Sequence, residues 1–245
     1  MCVITVGGPT GGGSRLLGPL VAQILGADYV DRLILTNAAR HIGATVEALH
    51  QLEERPLTRA ERLSSMLQRI LERSASTGGG VDPYFGSNSV AFLTEEYDEL
   101  PQPTITRRHE VEDQKYIEAI RKVITDLANE GNVVIVGRAG SIMQRNNPKV
   151  LRLGVIARLE DRISRIMERD NIDRELAEIT IDNRDRARTE SFKRYFGIDN
   201  PDDPQFYHLV INTSDVNLDY ATQIVVQACK NLKDGTLTLQ PGAGK

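Results

Sequence analysis

The residues best suited to chemistry crowd into the first fifteen positions, as Gly7-Gly8-Pro9-Thr10-Gly11-Gly12-Gly13-Ser14-Arg15. A glycine run lets the backbone curl so that several N–H groups face one anion, which can approach without meeting a Cβ. Ser14 brings a hydroxyl for a metal or a phosphate, and Arg15 brings a cation that can neutralise phosphate charge. The chemistry implied is phosphate binding, with Gly8, Thr10, Gly11, Gly12, Gly13, Ser14 and Arg15 as its residues. Against the consensus G-x-x-x-x-G-K-[ST], Gly8 and Gly13 have the right spacing. Ser14 stands where lysine belongs, and Arg15 where Ser or Thr belongs. The amide cradle is therefore kept while the phosphate-reaching ammonium is lost, and Arg15 is the nearest replacement. The plainer reading is a glycine-rich turn that only links two elements.

Those two elements are a strand and a helix. Val3-Ile4-Thr5-Val6 is a β-branched run of the kind that forms a buried strand. Leu16–Leu25 is apolar for two to three helical turns, and its N-terminus would add a positive dipole end to the loop. Ala27-Asp28-Tyr29-Val30 reads as a second strand ending in Asp31-Arg32, on the sheet edge where open α/β folds bind ligands. Asp31 could hold Mg²⁺ directly or through water, accept from a substrate hydroxyl, or cap the helix that follows. Arg32 could meet a phosphate.

Further along, residues 33–73 carry helical periodicity, and 74–103 form a long irregular stretch containing Tyr84, Phe85, Phe92 and Tyr97. Such a stretch is usually a lid, a binding loop or disorder; the aromatics argue against simple disorder and could pack on the domain, stack on a base or form a subunit contact. His109 reads as a surface histidine. An amphipathic helix over 111–129 stops at Gly131 and leads into Val133-Val134-Ile135-Val136-Gly137-Arg138, the most strand-like run in the chain. Arg138 follows that strand on the same edge as the glycine loop, which favours substrate phosphate over an internal salt bridge. A strand over 150–157 precedes a helix in which Arg158, Arg162, Arg165 and Arg169 recur. Another helix runs from Asp173 to Arg188 or beyond. Between Arg145 and Arg194 there are thirteen Lys and Arg against ten Asp and Glu. A mixed-charge face explains that excess, as does a lid that closes arginines on polyphosphate. Tyr207–Thr213 is a last strand, a helix over 218–232 follows, and residues 233–245 read as a flexible polar tail.

Composition narrows the classes. Across 245 residues the formal net charge is −4, which excludes a general nucleic-acid or membrane-surface binder. There is no run of 18 apolar residues and no leader pattern, so cytoplasm is the expected location. Cys2 and Cys229 lack metal-ligand spacing and sit at opposite ends of the sequence, so no disulfide is expected and a reducing compartment fits.

The ordered set Ile4-Thr5-Val6-Gly7-Gly8, Gly11-Gly12-Gly13-Ser14-Arg15, Asp31-Arg32, Val134–Arg138, Asp182-x-x-Asp185-x-x-Arg188 and Ile211-Asn212-Thr213 resembles the cytidylate-kinase-like branch of the P-loop nucleoside monophosphate kinases. The likeness spans residues 1–232, least clearly over 74–110, and members of this branch also tend to lack the loop lysine. The resemblance implies an α/β, three-layer P-loop fold with a parallel five-stranded sheet. It makes 1–232 one domain, with a helical acceptor-side insertion over 33–110 and a lid over 158–188. It implies ATP and Mg²⁺ as cofactors and phosphoryl transfer to a CMP- or dCMP-like nucleotide, with Arg15 and the lid arginines Arg162, Arg165 and Arg169 in catalysis. Asp31, Arg32, Arg138, Arg184, Asp185 and Arg188 would form the acceptor clamp, and Ser14 with Asp31 the metal site. The partners implied are nucleotides, neither nucleic acid nor membrane, with homo-oligomerisation open. Alternatives are a kinase for another small acceptor, or a nucleotide-binding regulator on a kinase scaffold with little turnover.

Overall fold

The structure, a computed structural model, describes residues 2–31, 107–137 and 139–240, with 107–116 described through their backbone alone. The expectations for 33–73 and 74–103, and those for Arg32, Arg138 and His109, lie outside what can be described of their side chains. The chain divides into two compact units, Met1–Arg32 with Leu127–Lys245, and Leu33–Asp126. Apart from the helix over Arg107–Glu130, most of which belongs to the second, the elements described below lie in the first of these.

Short β-branched and leucine-rich runs form five parallel strands: β1 Val3–Gly7, β2 Asp28–Val30, β3 Val133–Val136, β4 Val150–Ile156 and β5 Leu209–Asn212. Their order is β2-β3-β1-β4-β5. The central strand β1 is buried on both faces, which explains its lack of polar alternation. The helices are α1 Ser14–Leu25, α2 Arg107–Glu130, α3 Gly140–Met143, α4 Leu159–Asp170, α5 Arg174–Phe196 and α6 Leu218–Lys233, with a 3₁₀ turn at Pro204–Phe206. The expected α/β architecture with a parallel five-stranded sheet is what forms.

Strand periodicity of two decides which side chains meet which layer. Ile4, Val6, Val134, Val136, Leu151 and Leu153 pack in one core with Leu17 and Val21 of α1 and Val225 and Val226 of α6. Each such fully buried side chain contributes roughly 1.5–3 kcal/mol. The opposite face carries Thr5 and its register partner Arg152. Here Ser141 of α3 donates to Thr5 Oγ1 at 3.3 Å.

Two elements depart from the sequence reading, and a third gains a definite end. The single turn α3 follows Ala139, whose φ of 55° starts it without a side-chain cap, and four residues carry no legible period. Helix α5 runs to Phe196, because Phe192 is buried with Ile142 and Ile198. The segment after α6 packs down as far as Gln240. There Leu239 is buried, Leu237 N–H donates to Asn231 O at 2.8 Å, and Gln240 O meets His208 Nε2 at 3.2 Å.

The cysteine expectation is overturned. Cys2 and Cys229 form a disulfide with their Cα atoms 5.9 Å apart. Sequence distance misleads here, because Cys2 leads into the central strand and α6 packs on α1 directly over it, so both cysteines share one core. Closing a loop of this length constrains the unfolded chain, and reduction is expected to lower stability by about 2–4 kcal/mol. Denaturation midpoints with and without a thiol reductant, in the wild type and in Cys229→Ser, measure this; equal midpoints would contradict it. Among the described residues no helix is long and apolar enough to cross a membrane.

Candidate active site

Register places the glycine loop. Gly7 pairs with Gly154, so β1 delivers Gly8 to the C-terminal edge of the sheet beside the end of β4. Two glycines are dictated by that position. Gly8 has φ 144°, and a Cβ built on it would lie 2.0 Å from Val155 O. Gly13 has φ 104° and caps α1 without a side-chain hydrogen bond. A Cβ there would lie 2.9 Å from Thr213 Oγ1. Helices α5 and α6 differ, since Asp173 and Asn217 cap them with their own oxygens. The first turn of α1 also holds no acidic residue. Its dipole is therefore uncompensated locally, which favours an anion.

Side chains from three other elements grip the loop. On α4, Arg162 Nε donates to Thr10 O at 2.7 Å, and Arg165 Nη1 donates to Gly11 O at 3.1 Å. Arg165 also donates from Nη1 to Thr213 Oγ1 at 2.8 Å and from Nη2 to Thr213 O at 3.0 Å. Thr213, just past β5, donates from Oγ1 to Gly12 O at 2.8 Å. From α5, Asp185 accepts Thr10 N–H at 2.9 Å and pairs with Arg162. Arg162, Arg165 and Asp185 thus converge on the loop with Gly8 to Arg15.

The remaining arginines of the sequence reading have other partners. Arg169 and Arg184 share the Asp170 carboxylate, at 2.6 and 3.4 Å. Burial works against the charge on Asp170, but hydrogen bonds and the charges of Arg169 and Arg184 outweigh it and hold the carboxyl below its usual range. Arg188 forms two 2.8 Å bonds to Asp202 and sits over the Phe192 ring. Burial opposes the Arg188 charge, and Asp202 more than restores it. Beside it, Tyr207 donates to Pro201 O at 2.9 Å. Burial pushes its phenol up to about 12, so it stays neutral. Its ring lies against Gly7 and Gly154, which joins the Arg188 cluster to the root of the glycine loop. Asp31, directly after β2, is buried.

Sequence reasoning missed Arg152, Asp170, Asp202, Tyr207 and the role of Thr213. Arg152 carried a signal, a lone arginine inside an apolar strand. It is 2% exposed and donates to Arg145 O at 2.7 Å and Phe206 O at 3.0 Å. Desolvation lowers its affinity for the proton, but a guanidinium keeps it. Asp202 carried none, being one of two adjacent aspartates in a turn.

Curated relatives include the cytidylate kinase of Methanocaldococcus jannaschii, 36% identical over 118 residues, which are 47% of this chain and 66% of that one. The cytidylate kinase of Thermococcus kodakarensis is 30% identical over 126 residues, 49% of this chain and 64% of that one. The chain thus spans just under two thirds of the length of these relatives. A crystal structure of an uncharacterised protein from Eubacterium ventriosum covers 94% of this chain and 99% of its own at 16% identity, with a TM-score of 0.60, which supports the fold. The sequence profile of the cytidylate kinase-like family matches residues 3–215, and the chain belongs to that family.

Proposed function

We propose that this chain is an ATP-dependent nucleoside monophosphate kinase, with a CMP- or dCMP-like acceptor. The observation that carries the reading is the loop itself. It has positive φ at Gly8, Gly11 and Gly13, an uncapped helix end at Ser14, and arginines from α4 beside it. ATP phosphates would lie on the loop amides, with Arg15 taking the part of the absent lysine. Phosphoryl transfer asks little covalent chemistry of a protein. It needs the two reacting groups aligned and the charge on the transferred oxygens neutralised. Arg162 and Arg165 supply positive charge next to the loop, and Arg169 remains an α4 cation that a lid movement could bring in. Asp185 and Arg188, with Arg184, are the acceptor-side groups. Arg32 and Arg138 are assigned to the same clamp by family likeness.

A magnesium ion, if held here by Ser14 and Asp31, would supply positive charge that neutralises the phosphates. Ser14 and Asp31 are hard oxygen donors, and such an ion commonly takes one or two protein oxygens beside phosphate and water, so the residues fit. Dependence on ATP supports a cytoplasmic site of action.

Arg15→Ala is expected to lower kcat/KM about 10²–10³-fold, the range for losing one preorganised charge contact. A coupled assay with ATP, Mg²⁺ and a panel of nucleoside monophosphates measures both this effect and acceptor choice. The serine at position 14 favours one second reading, a nucleotide-binding regulator. No ADP with any acceptor, while ATP still raises the melting temperature, would decide for it.

A further inference from the structure

We propose that Thr213 is a positioning residue for nucleotide binding, which together with Arg165 turns the loop amides toward the phosphates by holding the loop's carbonyls from behind. This rests on the kinase reading and adds a residue to it.

Three successive carbonyls are each held by a different side chain: Thr10 O by Arg162, Gly11 O by Arg165 and Gly12 O by Thr213. In a trans peptide the C=O and the following N–H point in opposite directions. Pinning Thr10 O therefore sends Gly11 N–H to the other side, and pinning Gly12 O does the same for Gly13 N–H. The middle peptide differs, because Gly12 N–H closes a turn on Pro9 O at 2.9 Å. The amides of Gly11, Gly13 and Ser14 donate to no acceptor among the described residues. Gly11 and Gly13 N–H turned to one side, with the adjacent Ser14 N–H at the start of α1, leave unpaired backbone donors of the kind that bind an anion.

Thr213 is the member of this clamp fixed to the sheet. Its N–H donates to Ile156 O at 2.8 Å, continuing the β4–β5 ladder, and it is 8% exposed. Its hydroxyl accepts from Arg165 while donating to Gly12 O, with Ile156 O at 3.2 Å as a second acceptor. A hydroxyl can accept and donate at once; a methyl can do neither. Arg165 has no such anchor of its own. Both of its bonded nitrogens end on Thr213, and only Nη1 reaches the loop. Thr213 therefore sets the distance between β5 and the loop, and its Oγ1 also occupies the space that makes Gly13 obligatory.

Thr213→Val keeps the shape and removes the hydroxyl, and Thr213→Ser keeps the hydroxyl. Calorimetric titration with a non-hydrolysable ATP analogue, and separately with inorganic tripolyphosphate, reads the loop without turnover. Thr213→Val is expected to bind both about tenfold more weakly, the size of one lost hydrogen bond. Thr213→Ser should bind as the wild type does. In steady state, KM for ATP should rise about tenfold while KM for the acceptor stays constant. Wild-type affinity in Thr213→Val overturns the proposal. So does equal loss in both variants with a lowered melting temperature, which marks a merely structural role. If the wild type itself binds neither polyphosphate, the kinase reading falls first, and that result is distinguishable from the other two.

Discussion

Gly8→Ala is expected to lower ATP turnover by at least about 100-fold, the scale on which a 1 Å displacement of a positioned group is felt. It should also lower the melting temperature by roughly 5–15 °C. Both effects have one origin. The new methyl would sit 2.0 Å from the Val155 carbonyl oxygen, and that oxygen belongs to β4 backbone that cannot swing aside. A non-glycine residue at φ 144° adds about 1–3 kcal/mol of backbone strain. Relief can come only by lifting the loop off β4, which moves the amides the phosphates need. Gly26→Ala is the control. Its φ is 58°, a new Cβ meets nothing within 4 Å, and it lies at the far end of α1. It should cost about 1–2 kcal/mol and leave turnover intact. Equal turnover in the two variants would show that the loop tolerates displacement and does not hold phosphate.

Asp170→Asn is expected to destabilise the protein by about 3–5 kcal/mol, the cost of breaking a buried ion pair from one side. Asp170 is 5% exposed at the end of α4, and its carboxylate is shared by Arg169 and by Arg184 of α5. The amide would leave two poorly hydrated guanidinium groups facing each other. The same carboxylate gives an acid signature. Its folded pKa is depressed, so its contribution is complete above the unfolded value of about 4 and is lost as pH falls through the lower folded value. Urea midpoints between pH 7 and pH 3 should therefore fall more steeply for the wild type than for Asp170→Asn. Parallel curves would remove Asp170 from the account.

What the sequence discloses and what it hides follow a physical division. Strands β1, β3 and β4 are legible because a strand buried on both faces must be a continuous apolar run, and these are the runs the chain contains. The glycine loop is legible because only glycine tolerates its angles. The end of α5 is obscure, since its last turns bury one phenylalanine, Phe192, within an otherwise charged segment. Pairings among the arginines are invisible for another reason. Arg162 with Asp185, Arg165 with Thr213, and Arg188 with Asp202 lie on different elements, and no spacing rule connects them. The sequence shows many arginines and several acids; which meet is decided by how α4 and α5 lie against the sheet.

The strand order carries a cost in time. Val3 must wait for Val133 on one side and for Val150 on the other before its ladder can close. Pairings so distant along the chain carry a large loop-closure entropy and form slowly. During synthesis, then, the central strand of the sheet emerges before both of its neighbours and stays unmatched until β3 and β4 have followed. A nascent chain of this design exposes an apolar, β-prone segment for that entire interval, and an early encounter with a chaperone is the natural remedy.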